Sequence, residues 1–196
     1  MIRVLAGEAR GRRLKTPKGQ QVRPTSAKCR AALFNVLGER LEGASFLDLF
    51  AGIGSVGIEA LSRGARRVVF VERHPRVAAL LRENLVACQL SGEWQILPRD
   101  VLEALTALQA QRERFDLIFL DPPYEMGWIE RTLPLLSRPP LLLEPAGELI
   151  VQHSPREVPL PAYGPLQRRA LKSYGDTQLS FLRSCREILP PTRQSR

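Results

Sequence analysis

An aspartate followed by two prolines and a tyrosine, Asp121-Pro122-Pro123-Tyr124, closes the apolar run FDLIFL. Those residue types in that order suit chemistry on an exocyclic amine, whose lone pair is delocalised into its ring or carbonyl and is a poor nucleophile. If the Asp121 carboxylate and the Pro122 carbonyl each accept a hydrogen bond from the amine, the nitrogen is drawn toward tetrahedral geometry with its lone pair aimed at an electrophile. Proline at both positions fixes φ and removes N–H donors that would compete. Tyr124 can stack on a base and hold its plane, as flipped bases are held. An aspartate at its ordinary pKa of about 3.9 is too weak a base to take the amine proton first, so direct attack with later proton loss is expected.

The second chemical feature is Gly52-Ile53-Gly54-Ser55-Val56-Gly57, which follows the run FLDLF, opens a helical pattern and precedes Glu72 at the end of VVFVE. Taken alone this is the dinucleotide fingerprint, glycines for close backbone approach and an acid for ribose hydroxyls. Asp48, four residues before the first glycine, tells against a nicotinamide cofactor, because its charge would face the pyrophosphate that such a loop binds. S-adenosylmethionine, with its ammonium and cationic sulfonium, has the opposite requirement and is the expected cofactor. The amine box and this loop therefore read as methyl transfer to nitrogen. An adenine amine or a protein glutamine amide poses the same chemical problem as a guanine amine. A nicotinamide-dependent oxidoreductase and an inactive RNA-binding assembly factor are the rivals from other classes.

Such residues need a scaffold that brings strand ends together. From Ser45 onward, short apolar runs alternate with helical patterns: FLDLF and VGIEALSRG, VVFVE and PRVAALLRENLVACQL, WQILP and VLEALTAL, FDLIFLDPPY and MGWIERTLPLL, then GELIVQ. This rhythm predicts an α/β fold with a parallel sheet covered by helices on both faces. Pro75 suits the first turn of the second helix and Gly64 the end of the first. Val77, Leu81, Leu85 and Cys88 share one helix face and read as core. LQRRALKSY and QLSFLR, joined by Gly175-Asp176-Thr177, predict a C-terminal antiparallel hairpin in which Asp176 makes a turn. Ile2 to Pro17 reads as a short hairpin, and Ser26 to Leu37 as a helix opened by Thr25 or Ser26 and stopped at Gly38.

The net charge of +9 is uneven: residues 1–40 hold ten Lys/Arg against Glu8 and Glu39, and the remainder is nearly balanced. A field of that sign attracts polyanions, and Arg10, Arg12, Arg13, Lys15, Lys18 and Arg23 are the expected phosphate contacts. No aromatic residue precedes Phe34, so this segment positions a backbone and does not stack bases. The apolar runs fall short of the ~20 residues a membrane span needs. Arginines stand where a secretory signal would carry its apolar stretch, so a cytoplasmic protein is expected. Cys29, Cys88 and Cys185 form no C-x-x-C pair, which argues against a disulfide framework and a zinc site. No metal is expected, and His74 and His153 read as surface histidines.

Asp48, the glycine loop, Glu72 and the Asp-Pro-Pro-Tyr box, in order on successive strand ends, resemble the class I S-adenosylmethionine-dependent amino methyltransferases. With RGRRL, RPTSAKCRAALFNVL, FLDLFAGIGSVGIEALSRGA and SYGDTQLSFL added, nearly the whole chain resembles the RsmD family of ribosomal RNA guanine-N2 methyltransferases. The resemblance implies methylation of one guanine amine in 16S rRNA, presented by the small ribosomal subunit, with S-adenosylmethionine as donor. It implies a Rossmann-like seven-stranded sheet over 41–189 and a basic extension over 1–40; PPTRQSR, 190–196, reads from its residues as a disordered tail, and a monomer is favoured, the sequence leaving the oligomeric state open. By position it implies that Asp48, Ala51, Gly52 and Gly54 line the methionine end. Glu72 would meet the ribose, Asp100 and the Val101 backbone the adenine, and Arg23-Pro24-Thr25 would cover the cofactor. Gly52-Ile53-Gly54 stands where relatives often have Gly-Ser-Gly, a change expected to alter packing more than chemistry.

Overall fold

The computed structural model describes residues 2–17, 26–138 and 143–185. Its elements are β1 (Ile2–Arg3), β2 (Arg13–Leu14), α1 (Ala27–Leu37), β3 (Ser45–Leu49), α2 (Gly57–Ser62), β4 (Arg67–Val71), α3 (Pro75–Cys88) and β5 (Glu93–Leu97). They continue as α4 (Val101–Ala110), β6 (Phe115–Leu120), α5 (Trp128–Leu136), β7 (Leu143–His153), β8 (Ala162–Tyr163), β9 (Leu166–Tyr174) and β10 (Thr177–Ser184). The main sheet has the order β5-β4-β3-β6-β7-β10-β9-β8. β5 through β7 pair in parallel, and β7, β10, β9 and β8 pair antiparallel. The expected hairpin is β9–β10, and the expected seven strands gain an eighth, the two-residue β8 at the edge. Two residues are too short a run for periodicity to reveal.

Strand pleating sorts the apolar residues into two layers. Phe46, Val68, Phe70, Leu117 and Phe119 face α1, α2 and α3, in one cluster with Leu33, Phe34, Ile58, Leu81 and Leu85. Leu47, Leu49, Val69, Val71, Ile118 and Leu120 face α4 and α5 through Leu105, Leu108, Ile129 and Leu133. Burial on both faces explains why these strands read as continuous apolar runs. Local signals set the helix ends: Ser26 accepts a hydrogen bond from the Cys29 N–H at 3.1 Å and caps α1, Pro75 opens α3 and Gly38 closes α1. The chain leaves β3 for β4 and β5 on one side, then returns to β6 and β7 on the other. A crevice forms where the direction reverses, at the carboxyl ends of β3 and β6.

The N-terminal hairpin shares the sheet's core, with Val4, Ala9 and Leu14 buried in the α1–α3 layer. Glu59 on α2, fully buried, accepts hydrogen bonds from Leu5 N–H at 2.7 Å, Ala6 N–H at 3.0 Å and Arg63 Nε at 2.8 Å. Gly7 lies so close to the Ser62 carbonyl that an added Cβ would come within 1.5 Å of it. Asn84 on α3 accepts from Lys15 N–H at 2.8 Å and donates to the Ile53 carbonyl at 3.1 Å, tying the hairpin to the glycine loop. Glu59→Ala would strand two backbone amides and the Arg63 guanidinium. It is expected to lower stability by about 3 kcal/mol in urea unfolding and to expose residues 2–17 to protease.

His153 is a correction: it is fully buried, its Nδ1 and Nε2 each 2.8 Å from the Ser154 carbonyl and Ser180 Oγ. Burial holds its pKa below the ordinary value. The strand run ends at Gln152 in apolar context, and the sheet simply continues one residue further than that run. Cys29 and Cys88 are buried free thiols and Cys185 is partly exposed. Among the described residues no helix is long and apolar enough to cross a membrane.

Candidate active site

A cleft of about 550 Å³ opens at the carboxyl edge of the sheet, within the range of small-molecule sites. Asp48 sits on β3, where every other residue but Ser45 is apolar, and is 2% exposed. Its Oδ2 accepts the Gly57 N–H at 2.9 Å. An added Cβ at Gly57 would come within 2.2 Å of the Phe70 ring and 3.0 Å of that carboxylate, so glycine is required there. Burial pushes the Asp48 carboxyl up to about 8; the Gly57 N–H opposes the shift, and the negative charges of Asp121 and Glu72 add to it.

The turn after β3 is strained. Phe50 has φ 62°, a backbone conformation rare for an aromatic residue. Its ring meets Trp128 edge-on, with centroids 5.2 Å apart, in the cleft wall. Glu72 accepts the Gly52 N–H at 3.0 Å on one oxygen and the His74 N–H at 2.7 Å on the other. Each oxygen keeps a second lone pair for a ligand hydroxyl. Asp100 caps α4 by accepting the Leu102 N–H at 2.9 Å, and Val101 stands beside it.

The Asp-Pro-Pro-Tyr box follows β6 directly, with Asp121 half-buried and Pro122 buried. Gln152 Nε2 donates to the Tyr124 hydroxyl at 3.2 Å, and that hydroxyl donates to Thr177 Oγ1 at 3.5 Å. Cys29 lies behind, its Sγ 3.7 Å from Gln152 Oε1. Burial, with the Asp121 charge, pushes the Cys29 thiol up to about 12, so it is no nucleophile near neutral pH.

The cleft brings together Asp48, Ala51, Gly52, Glu72, Asp100, Val101, Asp121, Pro122, Pro123 and Tyr124. Gly54 is not among its lining residues. A Cβ there would come within 2.2 Å of Leu81 Cδ1 on α3, so this glycine lets the loop after β3 pack against that helix. Thr25, Arg23 and Lys18 lie outside the described residues. Arg10, Arg12 and Arg13 are exposed on the hairpin, and Lys15 is exposed and paired with Glu83 at 2.8 Å. Sequence reasoning missed Ser26, Phe50, Trp128, Gln152 and Thr177, and favoured a turn over a functional role for Asp176. One signal was available: Gln152, like Asp48 and Glu72, is a polar residue that follows an apolar run at or near the carboxyl end of its strand. Among the described residues no cluster of His, Cys, Asp and Glu could hold a metal.

Known proteins share this arrangement of chain. The family model described as conserved hypothetical protein 95 matches residues 2–183. A candidate rRNA methyltransferase of Bacillus subtilis, YlbH, is 36% identical over 181 residues, spanning 92% of this chain and 97% of that protein. Ribosomal RNA small subunit methyltransferase D of Haemophilus influenzae is 38% identical over 136 residues, 69% of this chain and 70% of that one. The solved structure of a methyltransferase candidate from Escherichia coli, yhhF, has a TM-score of 0.80 and 29% identity, covering 93% of this chain and 97% of that one. A family model that spans most of the chain, on a sheet shared with methyltransferases, places this protein in the conserved hypothetical protein 95 family, the RsmD family.

Proposed function

We propose that this protein transfers a methyl group from S-adenosylmethionine to the exocyclic N2 amine of a guanine in small-subunit ribosomal RNA. The observation that carries the reading is the meeting of Asp121 and Pro122 with Asp48 and Glu72 in one cleft at the sheet's switch point. The names of the B. subtilis and H. influenzae relatives support an RNA substrate, as does the exposed Arg10, Arg12 and Arg13 on the hairpin. Ribosomal RNA would be met in the cytoplasm.

The residues present fit the cofactor. The buried Asp48 carboxyl, held partly protonated by burial and by neighbouring acids, gains from a cation beside it, whereas an anionic pyrophosphate would worsen its environment. When bound, S-adenosylmethionine supplies an electrophilic methyl on a cationic sulfonium. Asp48, Ala51 and Gly52 would hold its methionine end, Glu72 its ribose hydroxyls, and Asp100 with Val101 its adenine. Asp121 and the Pro122 carbonyl accept the two amine hydrogens and orient the nitrogen lone pair. Tyr124, pinned through Gln152 and Thr177, offers a ring for the base to stack on, worth about 1–3 kcal/mol.

Labelled methyl groups from S-adenosylmethionine are expected in the RNA of small ribosomal subunits from cells lacking this modification. Label that goes only to duplex DNA or to protein contradicts the reading.

A further inference from the structure

We infer that Arg73, Arg76 and Arg99 are a second set of phosphate contacts, which lead a single RNA strand along α3 from the N-terminal hairpin to the cleft. The inference rests on the reading of ribosomal RNA as the methyl acceptor and names the path by which its backbone reaches the site.

The arginines of the hairpin tip stand at the wrong end of the sheet to hold a nucleotide at Asp121. There the Glu8 N–H donates to the Ser62 carbonyl at 2.7 Å, and the Glu8 carboxylate accepts the Ser91 hydroxyl at 3.0 Å. Ser62 ends α2 and Ser91 lies just before β5, so the tip sits at the amino edge of the strands. Arg10, whose N–H donates to the Gly7 carbonyl at 3.1 Å, and Arg12 belong to that tip. The cleft opens at the carboxyl edge, lined by Asp121. Between the two edges runs α3, 14 residues and so roughly 20 Å long.

Cations mark that interval. Lys15 lies partway along α3, its N–H donating to Asn84 Oδ1 at 2.8 Å and its Nζ paired with Glu83 at 2.8 Å. Arg76 shares a helix face with Glu83 and stands about 10 Å nearer the cleft. Arg73 and Arg99 complete the line at the rim. Val71 pairs with Leu97 in parallel, so these two arginines stand side by side just past neighbouring strand ends, and both line the cleft. Arg73, Arg76 and Arg99 are all exposed.

This arrangement costs stability in the free protein. Arginines on adjacent strand ends repel each other, and Arg76 stands in the first turn of α3, where the helix dipole disfavours a cation and no acid of that turn offsets it. The acids along the path are engaged elsewhere: Glu72 accepts two backbone N–H groups, Asp100 caps α4 and Glu83 pairs with Lys15. A row of phosphates relieves the repulsion, and the guanidinium fork matches phosphate geometry. The line offers cations and no aromatic ring, so it grips backbone and leaves the base to Tyr124. Arg82 provides a control on the same helix. It faces the other flank, with its guanidinium 5.5 Å from the centre of the Trp94 ring on β5.

The test measures binding to small ribosomal subunits lacking the modification, between about 50 and 200 mM salt, with methyl transfer assayed in parallel. Arg73→Gln, Arg76→Gln and Arg99→Gln are compared with wild type and with Arg82→Gln. Each of the first three is expected to raise the Kd for subunits about tenfold and to lower the slope of log Kd against log salt by about 0.7. Both kcat at saturating subunits and the Kd for S-adenosylmethionine are expected to stay unchanged, and Arg82→Gln to match wild type. The proposal is overturned, with the functional reading intact, by an unchanged Kd for subunits in the three variants or by a weaker one with an unaltered salt slope. Lost cofactor affinity in its place, or an equal effect from Arg82→Gln, overturns it too. Wild-type protein that transfers no methyl group to small-subunit RNA removes the functional reading and the proposal together.

Discussion

Asp121→Ala is expected to lower kcat for methyl transfer by about a thousandfold and to leave the Kd for S-adenosylmethionine within about tenfold of wild type. Asp121 stands at the β6 end of the cleft, across the switch point from the glycine loop and Glu72. Removing its carboxylate takes away one of two acceptors for the amine and leaves Asp48, Glu72 and Asp100 in place. Asp121→Asn keeps one acceptor oxygen and is expected to lose less. Isothermal titration with the cofactor and label transfer to RNA separate the two effects. A near-normal rate in Asp121→Ala would remove the amine-orienting role.

Asp48→Asn acts on the other half of the site, and its signature is a pH dependence. Burial raises the folded-state pKa of Asp48 from 3.8 to about 8, with the Asp121 and Glu72 charges adding to the shift. Between those values the folded protein holds a proton that the unfolded chain has released. The cofactor-free protein is therefore expected to lose stability as pH rises through that window, by at most about 1.4 kcal/mol per pH unit. A cation in the cleft favours ionised Asp48, so cofactor affinity is expected to strengthen as pH rises, by at most about tenfold per unit, and to level off near 8. Asp48→Asn can still accept the Gly57 N–H but carries no charge. It is expected to weaken cofactor binding by about a hundredfold and to flatten both pH profiles. Calorimetric titration and thermal melts across this range report both; an unaltered pH profile of binding in Asp48→Asn would contradict the role given to its charge.

The parts of the fold written in local pattern were legible. Continuous apolar runs announced β3, β4 and β6, and Ser26, Gly38 and Pro75 marked helix ends through chemistry that needs only near neighbours. The insertion of β10 between β7 and β9 depends on long-range pairing, and no local pattern encodes it. That insertion is what carries Asp176 and Thr177 to the cleft, which is why Asp176 reads chiefly as a turn residue in the sequence. Phe50 and Trp128 carry no local mark of a site, because an aromatic wall of a site and an aromatic core have the same composition. Gly54 looked like a ligand contact because a glycine fingerprint does not say whether ligand or side chain occupies the missing Cβ position. The N-terminal segment looked like an appendage because its charge is local, whereas the contact that docks it, Glu59 with Leu5 and Ala6, spans more than 50 residues.

Methyl transfer to nitrogen of a guanine base is tested most directly by digesting RNA from reacted small subunits to nucleosides and identifying the product by mass spectrometry. N2-methylguanosine, present with wild-type protein and absent with Asp121→Ala, is the expected result. N6-methyladenosine as the product, or N2-methylguanosine formed equally by Asp121→Ala, would contradict it.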